Sequence, residues 1–241
     1  MRKLNRPDLS HGLQDQLNRQ TRRIRKLRTH EARRAAAQKH WKHAGKVRLR
    51  RALVSMAGGH DRCVYCGYNE AGTVDHFYPK SRDPKQTFHW RNLHLACSRC
   101  QAAKLDLFHP LLLNPARTSY QPWDHLEFEP MTGEYGLLSP AAEASESIYK
   151  WSRGRLPDYR HAAFGMFQAV IEAFAIATEE GNAEKAAEMR RVVQNGISSP
   201  GLFDWIMHWC AQGVPAPPAH DPLHPAVRDA VRNYPEIRDW L

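Results

Sequence analysis

Apolar residues recur at helical spacing at both ends of the chain and at strand spacing only in its middle. Residues 8–29 and 31–57 predict two mostly helical segments, the second rich in Ala, Arg and Lys and ended by Gly58-Gly59. From Cys63 the pattern shortens. Cys63 to Phe77 predicts a tight turn leading into a short strand pair, with Val74 its buried residue and Pro79 closing the strand. Lys80 to Phe88 is a charged, Pro-containing loop, and Asn92 to Leu105 predicts a second cysteine turn running into a helix. Leu111 to Pro115 is an extended connector, and Leu126-Glu127-Phe128 with Tyr135-Gly136-Leu137 about Thr132-Gly133 predicts a hairpin. After Pro157-Asp158, Phe164, Phe167, Ile171 and Phe174 share one helical face, which reads as core and not as a cofactor pocket. A second helix is expected over Ala183 to Gln194, and Leu202 to Trp209 is a further apolar run. The Pro-rich stretch Pro215 to Pro225 reads as a linker to a docking helix or partly ordered tail over Ala226 to Leu241.

The 241 residues are 42% hydrophobic, enough for a sizeable core in one compact module with helical flanks. No stretch is expected to reach the length of a membrane span. Five cysteines, four of them in two close pairs, and no apolar leader at Met1 are the pattern of a metal-binding protein of a reducing cytoplasm. The fifth, Cys210, is expected to be an inert buried thiol.

The formal charge of +10 is unevenly spread. Residues 1–51 carry 17 Lys/Arg against Asp8, Asp15 and Glu31, a local net of +14, so the remaining 190 residues carry −4. Arg22, Arg23, Arg25, Lys26 and Arg28, then Arg33, Arg34, Lys39, Lys42 and Lys46, suit helices laid along a phosphate backbone, where each neutralised phosphate releases counterions. The same run would also serve as a solvated face or dock on an acidic protein. Read as a separate arm, residues 1–28 would be removable without unfolding the rest of the chain.

The chemistry is concentrated between Cys63/Cys66 and Cys97/Cys100, two C-x2-C pairs. Each pair lets two thiolates reach one ion, and the two together complete a tetrahedral four-thiolate zinc site with no open position, hence a structural one. Between the pairs, Asp75 offers a hard oxygen to a second divalent ion, and His76 an imidazole to activate water. His89, His94 and His109 lie close by as secondary candidates; His94, between Leu93 and Leu95, is expected to face a satisfied polar contact, and Tyr78 to pack on the strand. A zinc-ribbon nucleic-acid-binding protein without catalysis would use the four cysteines and the basic run but would have no need of Asp75-His76 with Asn92.

The string VDHFYPKS, TFHWRNLHLACSRCQAAK and LLLNP, together with Tyr65, Leu126 to Phe128 and Thr132-Gly133, resembles the HNH endonucleases of bacterial anti-phage systems of the Septu type and their retron-associated relatives. The start, Met1-Arg2-Lys3 then Arg6-Pro7, is also similar. The likeness is specific over roughly residues 60–160. It implies an α+β fold, a zinc-stapled ββα-metal (HNH) nuclease core with helical N- and C-terminal flanks. The corresponding division is a basic helical segment 1–58, a nuclease module with its hairpin 59–140, a helical region 141–214, and a linker with terminal helix 215–241. It implies His76 as general base, Asp75 as ligand of a catalytic Mg²⁺ or Mn²⁺, Asn92 as the residue holding the His76 loop and imidazole, and Lys104 at the phosphate or leaving group. Where the family has Asn or His after the last cysteine, this chain has Gln101, whose amide oxygen can still bind the metal from one methylene further out. The implied partners are DNA, or RNA as the alternative substrate, an ABC-type or SMC-like ATPase, and in retron versions a reverse transcriptase with its RNA-DNA product.

Overall fold

A computed structural model describes the chain except residues 1, 43–45, 57–60, 69–70, 196, 198, 200 and 213–220. The expected helix end at Gly58-Gly59 and most of the Pro-rich linker fall outside the described residues. The fold is α+β, helices with two small two-stranded sheets. Two compact units form, one of residues Lys3–Leu126 and Leu137–Lys150, the other of Arg2, Glu127–Gly136 and Trp151–Leu241.

In the first unit, helices α1 (His11–Arg25), α2 (His30–Lys42) and α3 (Lys46–Met56) precede strand β1 (Thr73–His76), strand β2 (Leu93–Ala96) and helix α4 (Ser98–Lys104), with α5 (Pro140–Tyr149) closing the unit. Leu13, Leu17 and Ile24 of α1, Ala37 and Trp41 of α2, and Leu49, Leu53 and Met56 of α3 are buried, a helical stripe that turns the basic residues outward. Helix α3 packs on both strands, while α1 and α2 pack on the short turn Pro84–Gln86.

The N-terminal residues are therefore no detachable arm. Leu4 N–H donates to the Pro115 carbonyl (2.8 Å). The Arg6 guanidinium lies 4.8 Å over the Trp90 ring and donates to the carbonyls of Trp90 (2.8 Å), Leu93 (3.0 Å) and Arg91 (3.3 Å). Trp90 Nε1–H in turn donates to the Pro7 carbonyl (3.2 Å). Burial lowers Arg6 to about 10, so this cation serves as a structural plug with its fork spent on main-chain oxygens.

The expected strand pair within Cys63–Phe77 is a single strand, and its partner lies across the loop. β1 pairs antiparallel with β2 in the register Thr73↔Ala96, Val74↔Leu95, Asp75↔His94 and His76↔Leu93. Val74, expected to be buried, is half-buried, whereas the next two residues, Asp75 and His76, are each 5% exposed. The order β1, β2, α4 is the ββα outline.

In the second unit, residues of β3 (Leu126–Glu129) and β4 (Glu134–Leu137) form the expected hairpin, and α6 (Leu156–Glu179), α7 (Ala183–Asn195), α8 (Gly201–Ala211) and α9 (Pro225–Asn233) form a helical cluster. Gly133 sits at φ +72°, and a Cβ there would lie 2.0 Å from the Pro157 carbonyl oxygen, so both conformation and space demand glycine. By length and composition, α6 alone among the described helices is long and apolar enough to cross a membrane, which corrects the expectation that no stretch reaches that length. Here it packs on α7, α8 and α9 through buried Phe164, Phe167, Ile171 and Phe174. The C-terminal residues are ordered, with Val227, Val231, Ile237 and Trp240 buried. Cys210 is half-buried, with burial raising its thiol.

Candidate active site

The four cysteines converge. Their sulfurs all lie within 4.8 Å of one another and all four residues are buried. Cys66 and Cys97 sulfurs stand 3.8 Å apart, which is the edge of a tetrahedron built on metal–sulfur bonds of about 2.3 Å and nearly twice a disulfide bond. Each knuckle is a local product of its sequence. Gly67 takes φ +78° and returns its N–H to the Cys63 carbonyl (2.8 Å), while the Cys97 sulfur caps α4 by accepting from Cys100 N–H (3.4 Å). Val64 N–H donates to the Leu95 carbonyl (3.0 Å), fastening the first knuckle to β2. Burial pushes the Cys63 thiol up, whereas hydrogen bonds from its neighbours pull Cys97 down. Four buried thiols can ionise together only around a cation, and this donor set could hold a structural zinc.

The knuckles present β1 and its surroundings. Asp75 accepts from the Tyr65 hydroxyl (2.7 Å) and faces the Lys104 ammonium at 3.3 Å. Burial raises the Asp75 carboxyl, and the charge of Lys104 and the Tyr65 hydrogen bond oppose that shift. Tyr65 is itself clamped, stacked on Tyr149 with ring centroids 4.1 Å apart. Lys104, expected at a phosphate, is fully buried and donates to the His76 carbonyl (2.6 Å), so its side chain supports the strand from below.

His76 lies against Trp41 of α2, with ring centroids 4.5 Å apart in an edge arrangement, and its Nε2 is 3.0 Å from the Thr87 carbonyl. A carbonyl can only accept, so Nε2 carries the proton and Nδ1 keeps its lone pair. Burial, then the charges of Lys80, Lys104 and Lys46, lower His76 to about 3, and the Thr87 hydrogen bond only partly offsets them. Asn92 does not touch the imidazole among the described contacts. It clamps the loop instead: Oδ1 accepts from Tyr78 N–H (2.7 Å), Nδ2 donates to the carbonyls of Tyr78 (3.0 Å) and Gln86 (3.1 Å), and its own carbonyl accepts from Phe77 N–H (2.9 Å). The Gln86 contact fixes the residue before Thr87, so Asn92 places the carbonyl that orients His76.

Gln101 donates its amide to the Val74 carbonyl (3.4 Å), one residue before Asp75, which leaves its amide oxygen for another partner. Asp75 and Gln101 are hard oxygen donors, few in number, which fits an ion that keeps most of its water. Residues 63–106 match the family described as HNH endonuclease. Over this segment the chain is similar to HNH endonuclease domains. No curated protein and no solved structure matched the chain.

The secondary histidines fall outside this HNH constellation. His89 and His109 are exposed. His94, expected to have a polar partner, is wholly buried, and neither ring nitrogen finds a hydrogen bond among the described residues, since Tyr65 and Phe77 surround it with rings. Burial accordingly holds it well below the ordinary imidazole range, neutral. Tyr78 packs edge-on to Phe108 at 4.6 Å. Sequence reasoning missed Trp41 and Thr87. A lone tryptophan in an otherwise basic helix was the one signal for Trp41; Thr87 acts through a carbonyl that any residue would supply.

Proposed function

We propose that the protein is a metal-dependent endonuclease that hydrolyses phosphodiester bonds of DNA, with His76 as general base. The observation that carries this reading is the neutral, oriented imidazole: Nε2 held by the Thr87 carbonyl, Nδ1 without a hydrogen-bond partner among the described residues, beside a carboxylate kept company by a buried ammonium. Nδ1 accepts a proton from the attacking water, and the Thr87 carbonyl stabilises the imidazolium that results. Burial keeps the imidazole in its neutral, proton-accepting form at neutral pH. Lys104 offsets the burial of Asp75 and pins the His76 main chain, so base and carboxylate keep a fixed separation. Asp75 and Gln101 would hold a divalent cation, which supplies, when bound, positive charge for the developing negative charge on phosphate oxygens. The basic faces of α1 and α2 supply sequence-independent attraction to the nucleic-acid backbone.

The finer reading, an anti-phage effector of the cytoplasm working with an ATPase subunit or a reverse transcriptase, is supported by the motif string from Cys63 to Pro115 alone. The test of activity is nicking of supercoiled plasmid by zinc-loaded protein in Mg²⁺ or Mn²⁺, with EDTA as control and a labelled RNA in parallel. Metal-dependent nicking supports the reading. Cleavage confined to RNA moves the substrate, and binding without cleavage of either makes the protein a binding subunit.

A further inference from the structure

Helix α2 of the basic segment reaches the His76 imidazole, and the start of α3 lies over the residue that does so. Trp41, buried on the last turn of α2, sets its indole against His76 and, 5.6 Å away, against Phe88. Lys46, the first residue of α3, holds its ammonium 5.7 Å from the centre of the same indole and is exposed. Lys80, on the turn after β1, is half-buried, and its charged surroundings are Lys46, Asp106 and Asp75. Lys46 and Lys80 both bear on His76 as positive charge. Neither ammonium has a carboxylate within ion-pair distance among the described residues. The two ammonium groups bear on each other and repel unless an anion is brought between them.

We propose that Trp41 and Lys46 belong to the active site: the indole fixes the plane of the His76 imidazole, and Lys46 with Lys80 receives the non-bridging oxygens of a nucleic-acid phosphate beside the scissile bond. This rests on the nuclease reading. Trp41 is a positioning residue. The Thr87 carbonyl tethers one nitrogen but leaves the ring free to tilt about that hydrogen bond, and an aromatic edge packed on the ring removes the tilt. Lys46 touches substrate. Its charge is exposed and has no carboxylate within ion-pair distance among the described residues, which suits a phosphate that arrives with the strand, and the arriving anion offsets the repulsion between Lys46 and Lys80. The basic segment thus serves both to gather the nucleic acid and to complete the catalytic centre, a dependence of cleavage on binding that a detached arm would not give.

The experiment uses the full zinc-loaded chain and a labelled DNA duplex in Mn²⁺, with steady-state cleavage and salt-dependent binding measured together. Trp41→Ala should lower kcat by about tenfold or more at unchanged KM, and Trp41→Phe, which restores an aromatic edge, should recover most of the loss. Lys46→Ala should raise KM by about tenfold and reduce the salt slope of binding by about one, with Lys46→Arg close to wild type. Lys46 is exposed, so its variants fold even if Trp41→Ala does not. Unchanged KM and salt slope in Lys46→Ala, or Trp41→Phe as impaired as Trp41→Ala, would overturn the inference while leaving the nuclease reading intact. Failure of the wild-type protein to bind and cut would overturn both.

Discussion

Lys104 places its ammonium 3.3 Å from the Asp75 carboxylate in a site where the lysine is fully buried and the aspartate side chain is 6% exposed. A buried cation and anion hold each other ionised, so removing one strands the other. Lys104→Met should therefore destabilise the first unit by about 3–5 kcal/mol. It should also leave Asp75 protonated to higher pH, raising the Mg²⁺ concentration that cleavage needs. Urea denaturation and a metal titration check both. A lysine that merely touched phosphate would show near-wild-type stability.

The depression of His76 gives a pH signature. The unfolded imidazole titrates near 6.5, the folded one at about 3. Between those values the unfolded chain binds a proton that the folded chain refuses, so this contribution to stability is full above pH 6.5 and is lost as pH falls toward 3. His94, also lowered by burial, acts in the same direction. At saturating metal, cleavage should show no loss of rate as pH drops through 6.5, and melting temperature should fall over the same range. A rate inflection near 6.5 would mean that the base is solvated and ordinary.

The cysteine cluster should behave as a staple with no part in the chemistry. Cys97→Ala removes one of four converging sulfurs and the cap of α4 together, so bound zinc should drop below stoichiometric and the first unit should unfold at room temperature or slightly above. Metal content by mass spectrometry with thermal unfolding measures this. Full zinc occupancy in Cys97→Ala would show that the fourth ligand is not a thiolate.

Parts of this arrangement are legible in the sequence because they are local. C-x2-C spacing dictates a knuckle, Thr132-Gly133 marks a turn whose glycine has no room for a Cβ, and the phenylalanine stripe of α6 announces its buried face. Other parts are tertiary and leave no local trace. Nothing near Trp41 tells that its indole will rest on His76, 35 positions along the chain, and nothing in Arg6-Pro7 tells that the guanidinium will plug the turn at Trp90. Lys104 misleads for a related reason: a lysine at the end of a nuclease motif suggests an exposed cation, but its place on the inner face of α4 sends it under β1. The strand pairing is equally hidden, because β1 finds its partner across a loop and not next to it.

On the proposed mechanism, the neutral, carbonyl-held imidazole of His76 takes the proton of the attacking water. The direct measurement is plasmid nicking by purified His76→Ala in Mg²⁺, with stoichiometric zinc and a folded circular-dichroism spectrum verified on the same sample. Cleavage should fall by about two to four orders of magnitude, while duplex binding stays near wild type. Nicking at the wild-type rate would contradict the account, and the basic surface and zinc staple would then describe a protein that binds nucleic acid without cutting it at this site.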